Sequence, residues 1–142
     1  MKHPLHPALV HFPIACWVLA SLADFGGLGW HPEWLWPVSA GLAALGCILG
    51  LLAAGAGMLE LTKLDGEHPA GRTAMWHMTL ALTTWCLFAG SLVVRMRGVT
   101  PLPPDALVLA LDGAGLVGVL ATGWLGGTLV YVHGVGVGRR EG

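Results

Sequence analysis

The sequence contains little charge. Asp, Glu, Lys and Arg together make up 11% of its 142 residues, whereas a soluble domain typically contains about 25%. This shortage excludes an ordinary soluble globular protein, and the 55% hydrophobic content excludes intrinsic disorder, which requires the opposite balance. The formal net charge of −1 provides no basic surface for nucleic acid. We therefore expect a membrane protein, and its length fits a single domain over residues 1–142.

Cysteine is also scarce. Cys16, Cys47 and Cys86 lie far apart within apolar runs, and none belongs to a Cys-x-x-Cys motif. This spacing excludes a disulfide framework and a zinc ribbon. We expect all three to be small apolar residues of the protein core.

Long apolar segments dominate the rest of the chain. Crossing a bilayer takes about 20 mostly apolar residues, and four segments reach that length: residues 9–28, 35–59, 73–94 and 106–132. Gly- and Pro-containing turn sequences separate them. No span alternates with period two, which argues against strands. The sequence thus predicts an all-α fold, a four-transmembrane-helix bundle that is integral to a membrane.

The cationic residues indicate how the bundle is oriented. Arg95 and Arg97 lie on one side of the four spans, and the other five Lys and Arg residues lie on the side of the termini. Those five are Lys2, Lys63, Arg72, Arg139 and Arg140. The positive-inside rule therefore predicts that both termini are cytoplasmic.

Histidine is unusually abundant: the chain has seven histidines, as many as all its Lys and Arg residues together. Only His31 lies on the outer side. The other six are His3, His6, His11, His68, His77 and His133. At 1.5 Å per helical residue, each span offers one polar side chain to a layer at similar depth: His11, Glu60, His77 and His133. Ionisable groups are costly inside a membrane, and bundles build cofactor sites from facing helices, so this layer is the candidate site.

Three interpretations of the layer remain open. A b-type haem takes axial histidines, and the glycines of the second and fourth spans would leave room for it, although small residues also serve close helix packing. The ligand types equally suit an iron, copper or zinc ion in a membrane enzyme or transporter. In the third interpretation the histidines pair only locally, in a cofactor-free structural or assembly subunit.

Three other residues carry expectations. Intramembrane charges usually pair, so we expect Asp112 to pair with Arg95 or Arg97 at the outer end. Asp24 ends the first span and is expected to be solvated. Pro13 lacks an amide hydrogen and frees the carbonyl group of Leu9 early in the first helix.

Both ends of the chain resemble a known family. The opening His6-Pro7-Ala8-Leu9-Val10-His11-Phe12-Pro13-Ile14-Ala15 resembles the start of bacterial predicted membrane proteins that share domain of unknown function 2231. The closing Gly123-Trp124-Leu125-Gly126-Gly127, with Leu129-Val130-Tyr131 and His133-Gly134-Val135-Gly136-Val137 after it, resembles the end of that family. The resemblance implies a compact four-helix protein of the bacterial inner membrane. Some members are fused to Rieske or cytochrome c-like domains, which implies a redox setting.

We therefore expect a b-type haem near the cytoplasmic face that exchanges electrons with quinone or a redox protein. His77 and His133 are the first choice for axial ligands, and His11 is a third candidate or a partner of the propionates. Arg72 or Lys63 would pair with the haem propionates. The alternative ion site uses His11, Glu60, His77 and His133. The sequence assigns no reaction and leaves open whether the protein forms a homo-oligomer.

Overall fold

A computed structural model describes residues 5–29, 32–62 and 68–136. Its long elements are helices, in the order α1 (Leu5–Leu9), α2 (His11–Gly27), α3 (Leu35–Leu61), α4 (Gly71–Arg95) and α5 (Ala106–Tyr131). With α1 and α2 taken as one segment, four helical segments are long and apolar enough to cross a membrane. The predicted all-α four-helix membrane fold is confirmed, and the span boundaries shift by only a few residues.

The first span is broken near its start. Proline at position 13 cannot donate to the carbonyl group of Leu9, and α1 ends at Leu9. The two pieces stay connected, because the Val10 amide donates to the His6 carbonyl at 3.1 Å and the Ile14 amide donates to the Val10 carbonyl at 3.3 Å. The helical segment therefore begins at Leu5, four residues before the predicted start of the span, and includes His6.

Two helical hairpins form the bundle, since α2 packs mainly against α3 and α4 against α5. Aromatic side chains join the hairpins in the middle. The Trp17 and Phe88 rings stack with centroids 4.9 Å apart and planes within 5° of parallel. The Trp85 indole N–H donates to the Cys47 carbonyl at 2.8 Å. The core is thus an aromatic layer contributed by α2 and α4, with Cys47 of α3 packed against it.

A short β-hairpin connects α4 to α5. Its strands are β1 (Met96–Arg97) and β2 (Thr100–Pro101), which pair antiparallel. The turn between them contains Gly98 at φ 62°, a backbone conformation that favours glycine. Asp105 then begins α5, because its side chain accepts a hydrogen bond from the Val108 amide at 2.9 Å and so satisfies an amide of the first turn. The sequence argued against strands, and this is correct for the four spans. It did not predict the short hairpin between α4 and α5.

A buried ion pair closes the bundle at the end where α2 terminates. Arg95 Nη1 donates to Asp24 Oδ2 at 2.7 Å and Arg95 Nη2 donates to Asp24 Oδ1 at 2.9 Å. Arg95 Nη1 also donates to the Ser39 hydroxyl at 3.0 Å. The prediction that Asp24 is solvated is therefore wrong. Arg95 pairs with Asp24 and not, as predicted, with Asp112. This contact joins α2, α3 and α4.

The three cysteines occupy different environments. Cys47 is buried in the aromatic core, Cys16 is half-buried, and Cys86 is exposed on the surface of the bundle. The core prediction is confirmed for Cys47 and wrong for Cys86, because apolar composition does not say which side of a membrane helix faces lipid.

Replacing Gly46 by alanine should test the packing of α2 on α3. A Cβ at position 46 would lie 2.7 Å from the Trp17 ring, whereas a Cβ at Gly41 in the same helix meets nothing within 4 Å. We expect Gly46→Ala to lower the free energy of unfolding by about 1–3 kcal/mol, the usual cost of overpacking. Gly41→Ala is the matched control and should leave stability unchanged or raise it slightly. Thermal unfolding in detergent measures both, and equal stabilities of the two variants would contradict the packing described.

Candidate functional site

The histidine end of the bundle contains a cavity of about 570 Å³. Ligand pockets in proteins commonly measure about 300–1,000 Å³. Five ionisable side chains of the described residues line it: His6, His11, Glu60, His77 and Tyr131. Most of the remaining lining is apolar and includes Trp17 and Trp85 from the aromatic core. The cavity therefore combines an apolar body with a few polar groups, as small-molecule sites usually do.

His77 is held by the neighbouring helix α5. Its Nδ1 atom lies 3.1 Å from the Thr122 carbonyl oxygen. A carbonyl oxygen only accepts hydrogen bonds, so Nδ1 carries the proton, and in the neutral ring Nε2 keeps a free lone pair. This arrangement, with Nδ1–H bound to a backbone carbonyl, is typical of histidines that ligate a metal through Nε2.

His6 is held in the same way by α3. Its Nδ1 atom lies 2.7 Å from the Ala53 carbonyl oxygen, which again leaves Nε2 with a lone pair in the neutral ring. The backbone N–H of His6 donates to Glu60 Oε1 at 3.2 Å. Glu60 therefore fastens α1 to the end of α3. The rings of His6 and His77 lie with centroids 6.1 Å apart and planes at 86°.

Glycines make room for both imidazole rings. A Cβ at Gly57 would lie 2.9 Å from His6 Nδ1, and a Cβ at Gly126 would lie 3.3 Å from His77 Cε1. Other glycines serve packing alone, because a Cβ at Gly115 would meet the Phe88 ring at 2.7 Å. Some glycines therefore accommodate a histidine ring, and others accommodate an aromatic ring of the core.

The predicted layer comes together in part. His11, Glu60 and His77 line the same cavity, but His133 is not among its lining residues. Instead, His133 Nε2 lies 3.2 Å from the Thr73 hydroxyl oxygen. Within the described residues 5–29, 32–62 and 68–136, no three His, Cys, Asp or Glu side chains are grouped so that they could hold a metal ion.

Of the predicted propionate partners, His11 lines the cavity and Arg72 does not. Arg72 lines a separate groove on the surface of α4 and α5, together with Trp76 and Leu125. Lys63, the other candidate, lies outside the described residues.

His6 is the cavity residue that the sequence reasoning left out of the layer. The sequence places the start of the first span at residue 9, which would leave His6 outside the membrane. The structure begins α1 at Leu5 and interrupts it at Val10. The available signal was Pro13, whose missing amide predicts a break four residues earlier and a change in the direction of the preceding turn.

The fold and this cavity define the class of the protein: a four-helix membrane bundle with an imidazole-lined cavity at one end. The chain belongs to the family of predicted membrane proteins that share domain of unknown function 2231, whose model matches residues 2–139. The resemblance drawn from the two ends of the sequence is thereby confirmed. No curated protein and no solved structure matches the chain significantly.

The contact between Glu60 and His6 can be tested by hydrogen exchange. Glu60→Ala removes the acceptor of the His6 amide, whereas Glu60→Gln keeps an oxygen atom there. A hydrogen bond to a charged group contributes about 1.5–3 kcal/mol, so Glu60→Ala should speed exchange of the His6 amide by roughly 10- to 100-fold. Glu60→Gln should have a smaller effect. Exchange resolved by NMR measures this, and an unchanged rate in Glu60→Ala would show that Glu60 does not hold α1.

Proposed function

We propose that the cavity binds a b-type haem, with His6 and His77 as its axial ligands. The observation that best supports this is that the His6 and His77 rings lie close together and line the same cavity. Metal–imidazole bonds are about 2.0–2.1 Å long, which places the centroids of two opposed rings roughly 6 Å apart. The His6 and His77 centroids lie 6.1 Å apart.

The bonding of the two rings supports the same proposal. Each ring directs Nδ1 to a backbone carbonyl, of Ala53 for His6 and of Thr122 for His77. Such bonds fix the ring orientation and make Nε2 a better ligand. Haem iron needs only one or two protein ligands because the macrocycle supplies the rest. Two imidazoles therefore suffice for haem, whereas structural and catalytic zinc ions take three or four protein ligands.

The surroundings fit a flat apolar cofactor. Trp17 and Trp85 give the cavity aromatic walls, and Gly57 and Gly126 leave space beside the rings. The proposal departs from the sequence-based ligand pair in one respect, since His6 takes the place of His133. It assigns no role to Arg72, which lines a different groove.

Because haem supplies one-electron chemistry, we propose that the protein exchanges electrons with quinone or a redox protein. The protein sits in a lipid bilayer as a member of a membrane-protein family. We also propose the bacterial inner membrane with both termini cytoplasmic, a placement that rests on the distribution of Lys and Arg.

The absorption spectrum of the purified protein tests the proposal. Expression with ample haem supply should give a Soret band and, after reduction with dithionite, sharp α and β bands. His6→Ala and His77→Ala should each shift or abolish these bands. His133→Ala and His68→Ala are matched controls that should leave the spectrum unchanged.

Two outcomes would overturn the proposal. Absence of haem bands despite ample haem would exclude the cofactor, and elemental analysis for Fe, Cu and Zn would then test the metal-ion alternative. A spectrum that is lost in His133→Ala but kept in His6→Ala would restore the ligand pair predicted from the sequence.

The glycine beside His6 gives a second test. Valine at position 57 would push directly against the His6 ring, because even its Cβ would lie 2.9 Å from Nδ1. We expect Gly57→Val to lose most of the bound haem. Gly55→Val is the matched control in the same helix, since a Cβ at Gly55 meets nothing within 4 Å. The haem content per protein measures both, and equal haem contents would contradict the placement of His6 at the cofactor.

A further inference from the structure

A second polar cluster lies at the end of the bundle opposite the histidines. It comprises six side chains from four helices: Ser21, Asp24, Ser39, Ser91, Arg95 and Asp112. Each is at most 3% exposed, and none lines the histidine cavity. The haem proposal does not use this cluster.

The charges of the cluster do not balance if both carboxyl groups are ionised. Arg95 supplies one positive charge, and its two Nη atoms are both bound to the Asp24 carboxylate, at 2.7 and 2.9 Å. This bidentate pair is neutral as a unit. An ionised Asp112 would add an uncompensated negative charge in a region of low dielectric constant, which proteins avoid because of the desolvation penalty.

The hydrogen bonding of the Asp112 carboxyl group is incomplete. Within the described part of the chain its Oδ2 atom is buried and accepts no hydrogen bond. The groups facing it are the Ser91 hydroxyl and Arg95 from α4 and the Asp24 carboxylate from α2. Because the ionised Asp24 carboxylate can only accept hydrogen bonds, it favours a neighbouring Asp112 that carries a proton and can donate one. The Nε atom of Arg95 is also buried without a partner, so the competing arrangement is an ionised Asp112 bound to that atom.

We propose that the cluster is a proton-binding site and that Asp112 carries the proton. The Asp112 carboxylate takes one proton from water on Oδ2 and becomes a neutral carboxylic acid, while Asp24 and Arg95 remain an ion pair. The cluster is then neutral overall. A metal cation is disfavoured as the ligand, because the guanidinium group repels it and both Asp24 oxygens are already bound to Arg95. Protonatable carboxyl groups inside membrane spans are typical of proton relays.

Infrared spectroscopy of the full chain in lipid nanodiscs at pH 7 tests this proposal. The wild-type protein should show the carbonyl stretch of a protonated carboxyl group, and this band should move to lower frequency when aspartate is labelled with ¹³C. Asp112→Asn should remove the band. Asp105→Asn is the matched control, because Asp105 is an exposed helix cap and asparagine caps equally well, so the band should persist.

Several results would overturn the proposal. They are the absence of a label-sensitive band in the wild type, a band that survives Asp112→Asn, and a band that disappears when sodium replaces potassium at constant pH. If Asp112→Asn does not fold, Ser91→Ala replaces it. Ser91 faces Asp112, so its removal should shift the band, and an unshifted band would contradict the assignment. The readout does not depend on haem.

Discussion

Polar groups inside a bilayer have no water to bind, and this constraint organises the whole molecule. The chain keeps charge to 11% of its residues. Among the described residues, all buried polar side chains except Thr84 lie at one end of the bundle, and the cavity histidines lie at the other. Between them lies the aromatic layer of Trp17, Trp85 and Phe88. Even there, the Trp85 N–H is satisfied by the Cys47 carbonyl. Helical spans let most backbone polar groups bond within their own segment, as the membrane requires.

The two ends meet the constraint in opposite ways. At one end Arg95 and Asp24 join three helices with a buried bidentate ion pair. At the other end His6 and His77 are hydrogen-bonded to backbone carbonyls, those of Ala53 and Thr122 respectively. A cavity remains beside these two rings. The end with the ion pair fixes how the helices pack, and the end with the cavity is where we propose that a cofactor binds.

Hydropathy alone predicts the four spans, because the span signal depends only on local composition. Helical rise also predicts the depth of His11, Glu60 and His77. It does not predict rotation about the helix axis, because α5 has no distinct polar face and so gives no sign of whether His133 faces the cavity or Thr73. The pairing of Asp24 with Arg95 joins residues 71 positions apart and depends on the lateral order of the helices, which composition does not encode. His6 was missed because the first helical segment begins at Leu5, four residues before the predicted start of the span.

We propose above that imidazoles from α1 and α4 ligate one haem iron. Electron paramagnetic resonance of the ferric protein tests this most directly. Two imidazole ligands give low-spin iron, whereas loss of one ligand favours high-spin iron. We expect a low-spin signal in the wild type that becomes high-spin in His6→Ala and stays low-spin in His133→Ala. A low-spin signal that persists in His6→Ala, or a protein without any haem signal, would contradict the claim.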